Sequence, residues 1–441
     1  MTSSSVPASG AVRDAADGRR ATTRALTGGT IGNFVEWYDW SVYGFFTPYF
    51  AHQFFPGSGT SATLLTLLVF AISFFMRPVG AAVLGVYADR RGRRHGMTLT
   101  ILLMALASLV IAVTPGRATI GVLAPVLLVL GRLLQGFSTG GEFGTSASFL
   151  VEWARPGRRA FAGSFQQVSV CLGILLASLS ATVLTRVLDE TALGTWGWRI
   201  PFALGAVIGL IGLYIRRRLE EPEAFRRLEA GGGRAERPMA QMAAGHRRGA
   251  WFVFGISIAG SVITYMWLTY MPAYSVLAAG ADPADAQLAN TIALAFFVVM
   301  LPFAGLLSDR FGRRPTMLVY ICGFVVLPFP LLYSLHASFT SVFIVELVGM
   351  AFLSLNHSNL ATIFAERFPP QVRTIGIALP YAISNAIFGG TAPNVMEFFG
   401  GRHNLWAVPL YVSVCALVTG AFIVTMKETR NMDTADVEAR A

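Results

Sequence analysis

Of 441 residues, 54% are apolar and only 13% charged, against about 25% charged in an ordinary soluble domain. With a mean hydropathy of +0.58, this argues against a soluble globular fold. The formal charge of +10 sits in short arginine clusters between apolar runs, as in membrane loops. No basic stripe carries interleaved stacking aromatics, so nucleic acid is excluded as a partner.

Residues 1–25 are Ser/Ala/Gly-rich with Arg13, Arg19, Arg20 and Arg24. They read as a disordered cytoplasmic tail. The next apolar run is too long for a cleavable signal and contains Glu36 and Asp39. A membrane-spanning helix needs about 20 mostly apolar residues. Twelve such spans are expected near 26–50, 62–88, 98–114, 121–151, 160–185, 198–216, 250–278, 287–308, 316–336, 339–365, 373–397 and 404–426. The segment 217–249 breaks the pattern with Arg216 at its edge, Arg217, Arg218, Glu220, Glu221 and a run of three glycines, and its arginines, Arg216 included, read as loop arginines. It divides the chain into six-span bundles over 26–216 and 250–426, followed by a tail, 427–441.

Arginines crowd alternate connections, whereas 51–61 and 279–285 carry no Lys or Arg. By the positive-inside rule both termini are cytoplasmic. Cys171, Cys322 and Cys415 sit inside apolar runs without metal or disulfide spacing and read as inert.

The turn Gly85-Val-Tyr-Ala-Asp89-Arg90-Arg91-Gly92-Arg93-Arg94 recurs as Gly305-Leu-Leu-Ser-Asp309-Arg310-Phe311-Gly312-Arg313-Arg314. A second pair, Glu152 to Arg159 and Glu366 to Arg373, has the same seven-residue spacing at the same place in each half. Repeats of this kind predict two pseudo-symmetric six-helix bundles with a substrate path between them. The arginines of these turns serve as topology determinants. The acids Asp89, Asp309, Glu152 and Glu366 contribute little to orientation, so they are expected to form a cytoplasmic latch with Arg90, Arg93, Arg159, Arg310, Arg313 and Arg373, together with Gly85, Gly92 and Gly312 of the turns.

Charged groups in mid-membrane are costly and mark function or pairing. Glu36, Asp39, Arg77, Arg132 and Glu142 occupy the first half, and Glu346 and His357 the second. Asp39 and Arg77 come to similar depth on adjacent helices, roughly 20 Å and 17 Å from their cytoplasmic ends at 1.5 Å per residue. They are expected to neutralise each other, either as a fixed structural pair or as a pair that a proton or an anion opens. Arg132 is a second guanidinium suited to a carboxylate. Glu142 is placed in the proton relay or in a structural pair. Uncharged candidates for the cavity wall are Tyr43, Gln166, Tyr265, Tyr270, Asn356, His357 and Asn385, each of which has simple packing as its competing role.

The two D-R-x-G-R-R turns resemble the signature of the major facilitator superfamily. Gly32-Asn-Phe-Val-Glu36-Trp-Tyr-Asp39, Met76-Arg77-Pro78-Val-Gly80, Arg132-Leu-Leu-Gln135-Gly136 through Glu142, Trp196-Gly-Trp198-Arg199, and Ala386-Ile-Phe-Gly389-Gly390 together resemble its metabolite:proton symporters. The resemblance implies an all-α membrane fold of twelve helices, proton coupling through the span-one acids and anion binding by the span-two arginine. It implies uptake of a small carboxylate such as α-ketoglutarate or citrate with protons across the inner membrane. The chain is expected to act as a monomer, without cofactor or metal and without enzymatic activity. A zwitterionic osmolyte held by Trp37, Tyr38, Trp40 and Tyr43 is the alternative cargo, and a proton-driven exporter a more distant one. A receptor would carry an appended domain, and a channel would not need the buried charge pair.

Overall fold

The computed structural model describes residues 8–55, 59–155, 157–231, 236–400 and 406–430, which are helical with no strand. Residues 1–7, Pro156, Gly232, Gly233, Arg402 and the tail beyond Arg430 lie outside them.

Long helices follow one another in chain order. In the first half they are α1 (Ala8–Phe54), α2 (Gly59–Arg91), α3 (Arg93–Val113), α4 (Leu123–Trp153), α5 (Arg159–Val187) and α6 (Arg199–Arg217). Two short linker helices, Glu223–Ala230 and Pro238–Gly245, connect the halves. The second half holds α7 (Arg247–Ala279), α8 (Pro283–Phe311), α9 (Arg313–Val326, continued by Pro328–Tyr333), α10 (Phe339–Ala365), α11 (Pro370–Phe399) and α12 (Ala407–Val424). Among the described residues, nine helices are long and apolar enough to cross a membrane. α9 falls short because Pro328 and Pro330 interrupt it after fourteen residues.

The first helix differs from expectation. It begins at Ala8 rather than near 26, so 8–25, expected as disordered, is helical. Ala-rich sequence without proline between 8 and 25 favours this extension.

Close backbone approach fixes α2 against α4. A Cβ on Gly80 would lie 1.8 Å from the Phe137 carbonyl oxygen, and one on Gly140 would lie 2.0 Å from that of Arg77. Small residues let membrane helices touch in this way. The contact sets the height at which Arg77 faces the other half. Gly92 and Gly312 both have φ of 109°, a left-handed conformation that side chains resist. Each makes the sharp turn from one helix into the next.

Candidate functional site

A cavity of about 950 Å³, counting its open mouth, lies between the halves. Glu36, Trp37 and Arg77 face Tyr265, His357 and Asn385 across it. Arg77 Nη1 donates to Asn385 Oδ1 across the halves at 3.4 Å. The Arg77 guanidinium also stacks 4.3 Å from the rings of Trp40 and Phe74. His357 Nε2 lies 3.2 Å from the Thr264 hydroxyl. A vestibule sharing Trp37, Tyr265, Leu268 and Thr269 with the cavity continues to Gln287 and Asn290, in the first turns of α8. It therefore leads to the face opposite the arginines.

The expected pairing of Asp39 with Arg77 is corrected. Asp39 is fully buried inside the first bundle. Ser108 donates its hydroxyl to Asp39 Oδ2, and Gln135 Nε2 reaches the same oxygen at 3.5 Å. Arg132 Nη1 donates to Gln135 Oε1 at 2.6 Å. Gly205 makes room, since a Cβ there would meet Asp39 Oδ1. The guanidinium acting on Asp39 is that of Arg132, and the guanidinium acting on Glu36 is that of Arg77. Residues three apart on a helix differ by about 60° around its axis. That angle turns Glu36 to the cavity and Asp39 to α3, α4 and α6.

Other expected cavity residues also lie elsewhere. Arg132 sits behind Trp40, 4.5 Å from that ring and 4.2 Å from Tyr43. Tyr43 donates to the Thr66 carbonyl at 3.0 Å within the first bundle. Gln166 donates to Ser146 at 2.8 Å, leaving its neighbour Gln167 to line the cavity. Tyr270 donates to Glu397 at 2.6 Å. Asn356 is buried behind Gly260. Glu142 accepts from both terminal guanidinium nitrogens of Arg216, Nη1 and Nη2, and Thr100 donates to it at 2.5 Å. Arg216 also donates to the Gly28 and Met97 carbonyls. Sequence reasoning counted Arg216 with the loop arginines and missed it. The available signal was Glu142 itself, a buried acid requiring a partner.

The face bearing the arginines is closed by two related clusters. Asp89 accepts from the backbone N–H of Thr374 at 3.1 Å and Ile375 at 2.9 Å. Asp309 accepts from Ala160 at 3.1 Å and Phe161 at 2.9 Å. Each aspartate thus caps a helix N-terminus of the opposite half, where unpaired N–H groups favour an anion. Arg93 bonds Asp89 at 2.9 Å, and Glu152 receives Arg373 at 2.6 Å and Arg93 at 3.4 Å. In the second cluster Arg313 bonds Asp309 at 2.9 Å, while Glu366 stands 3.6 Å from both Arg159 and Arg313. Gly85 packs on Ile375. Arg90 and Arg310 do not join these clusters. Both are exposed; Arg90 reaches the Glu236 carbonyl of the linker, and Arg310 stacks on Phe311. Above the clusters Phe143 stacks on Tyr381, centroids 3.9 Å apart.

Two carboxylates outside the repeated motifs complete the turns. Glu221 accepts from the N–H of Arg93 and Arg94, and Glu428 from those of Arg313 and Arg314 at 2.9 and 3.0 Å. Burial pushes the Glu221 carboxyl up from its ordinary value. For Glu428 burial also acts upward, but four backbone N–H donors outweigh it and hold the carboxyl below the usual range.

Residues 26–244 match the family described as Sugar (and other) transporter, and 277–439 match the Major Facilitator Superfamily. The chain is 40% identical to the alpha-ketoglutarate permease of Escherichia coli, over 91% of this chain and 92% of that one. It is 36% identical to the citrate-proton symporter of Salmonella typhi, covering 85% and 88%. It is 32% identical to the proline/betaine transporter of Escherichia coli, covering 92% and 84%. A solved structure of the proton:xylose symporter XylE with a bound bromo-deoxy-glucose has the same fold. Its TM-score is 0.80 at 18% identity, over 96% of this chain and 99% of that one. These relatives are named as a permease, symporters and a transporter.

Proposed function

Since the chain belongs to the major facilitator superfamily, we propose that it carries a small carboxylate inward together with protons. The observation that carries this reading is Arg77, a guanidinium lining the cavity with Asn385 of the other half as its hydrogen-bond acceptor. A substrate carboxylate would take the place of Asn385 and bridge the halves. Guanidinium binds carboxylate through two parallel hydrogen bonds. The similarity to an alpha-ketoglutarate permease and a citrate-proton symporter favours a di- or tricarboxylate.

In this reading the arginine-rich face is cytoplasmic, the membrane is the inner membrane, and the conformation is open outward. Glu36 holds the proton at the cavity, and the Asp39–Gln135–Arg132 chain lies behind it. Glu142 is assigned to the fixed ion pair with Arg216. Substrate and proton arrive through the vestibule, the outer walls close, and the two charge clusters part. No cofactor is required, because the proton gradient supplies the work.

A zwitterion such as betaine is the second reading. Trp37, Tyr265 and Tyr381 in the cavity wall favour it, since aromatic faces hold quaternary ammonium. Uptake of labelled α-ketoglutarate, citrate, shikimate and glycine betaine into vesicles, with and without an acid-outside gradient, separates the two. Gradient-driven uptake of a carboxylate is expected. Driven uptake of betaine alone would replace the first reading with the second, and uptake indifferent to the gradient would defeat both.

A further inference from the structure

Glu346 is a buried carboxyl that the transport scheme above does not use. It sits on α10, seven residues from the helix start at Phe339, or roughly 10 Å into the membrane at 1.5 Å per residue. Its exposure is 0%, and neither carboxylate oxygen has a hydrogen-bond partner among the described residues. An ionised carboxylate without donors is strongly disfavoured in such surroundings. The neutral acid is the form this pocket accommodates.

Its surroundings connect it to the vestibule. From α8, Asn290 stands close enough to the carboxyl to act on it as a donor, although neither carboxylate oxygen meets the geometry of a full hydrogen bond. Asn290 lines the vestibule, so one side chain separates Glu346 from the open face. Asn290 Nδ2 instead donates to the Trp267 carbonyl at 3.3 Å. Trp267 belongs to the π-helical turn Met266–Tyr270 of α7, a wide turn of the kind that collects at functional positions. Its indole donates to the Val345 carbonyl at 3.4 Å and fills the space left by Gly349, so it packs on the α10 turn that carries Glu346.

No charged group faces this carboxyl among the described residues. α7 offers Trp267. α9 offers Phe324, edge-on to Trp267 at 5.0 Å, with Tyr320 one turn deeper. α5 meets α10 at the far end, where Gly163 packs on Thr362.

We propose that Glu346 is a second proton-binding site, in the C-terminal half, loaded from the vestibule past Asn290. Loading places a vestibule proton on a Glu346 oxygen and leaves Asn290 on the Trp267 carbonyl. Loss of that proton leaves a carboxylate that draws an Asn290 N–H away from Trp267. The charge state of Glu346 thereby acts on the π turn that lines both cavity and vestibule at Leu268 and Thr269. The proposal deepens the symport reading and rests on it for its role in transport. Proton binding itself can be tested without substrate.

The test is infrared difference spectroscopy of the full chain in lipid vesicles, titrated from acid to alkaline pH. The wild type should show a protonated-carboxyl band that disappears on the alkaline side and is missing in E346Q. E346D should move that band rather than remove it, which guards against an E346Q protein that fails to fold. N290A should keep the band and shift its midpoint. An E346Q spectrum identical to wild type would overturn the proposal, as would a Glu346 band unchanged at every pH. An unshifted midpoint in N290A would overturn the route past Asn290. A titrating Glu346 band beside gradient-indifferent uptake would leave the site standing and defeat the symport reading.

Discussion

Glu36 and Asp39 show how about 60° around a helix axis decides a role. Glu36 and Arg77 line the cavity, whereas Asp39 is enclosed by Ser108, Gln135 and Gly205. Arg77→Ala should therefore abolish carboxylate uptake, and Arg77→Lys should retain a fraction, because lysine keeps the charge but not the two-pronged geometry. Initial rates of labelled uptake at matched expression check this. Glu142 behaves differently. Its ion pair with Arg216 is buried among α3, α4 and α6, and removing one partner leaves the other uncompensated. Glu142→Ala should destabilise the fold by about 3–5 kcal/mol, seen as a lower unfolding temperature, whereas a direct role in coupling would appear as normal stability with lost gradient dependence. The sequence carried the depth of these charges, because depth follows from counting residues along a span. It did not carry their azimuth. Depth alone brought Asp39 and Arg77 together, and placed Arg216 with the loop arginines although its side chain turns inward to Glu142.

At the scale of elements, the repeated turns and their arginine partners were legible, and the helix ends they cap were not. Asp89 and Asp309 were identifiable because they recur with Gly92 and Gly312. That each caps a helix of the opposite half depends on backbone N–H groups, which no side-chain pattern reports. Glu428 escaped notice for the same reason, since it bonds the N–H groups that open α9. Its folded carboxyl lies below the ordinary value of 4.5. Its contribution is therefore present above that value and is lost as pH falls through the lower folded one. The unfolding temperature of Glu428→Gln should fall below wild type at neutral pH, and the difference should vanish in acid below the usual glutamate range. A difference that persisted or grew in acid would contradict the capping role. The span expected unbroken at 316–336 is interrupted at Pro328, and the π turns of α7 and α11 left no sequence signature.

Taken whole, the molecule is two six-helix bundles held together at the arginine-rich face and parted at the other. The two clusters differ in tightness, with Glu152 at 2.6 Å from its nearest arginine and Glu366 at 3.6 Å. A charge-assisted hydrogen bond contributes roughly 1.5–3 kcal/mol, and 1.4 kcal/mol is a tenfold shift in population. Asp89→Asn with Asp309→Asn should therefore move the population toward a form open at that face by tenfold or more, read as longer distances between spin labels on α2 and α11. Unchanged distances would show that other contacts hold the face closed. The claim on which all of this depends is that a proton held on α1 drives the anion. It is tested most directly by comparing wild type and Glu36→Gln in vesicles, measuring carboxylate exchange at equilibrium and accumulation under an acid-outside gradient. The account predicts that Glu36→Gln keeps exchange and loses accumulation. Accumulation equal to wild type would contradict it.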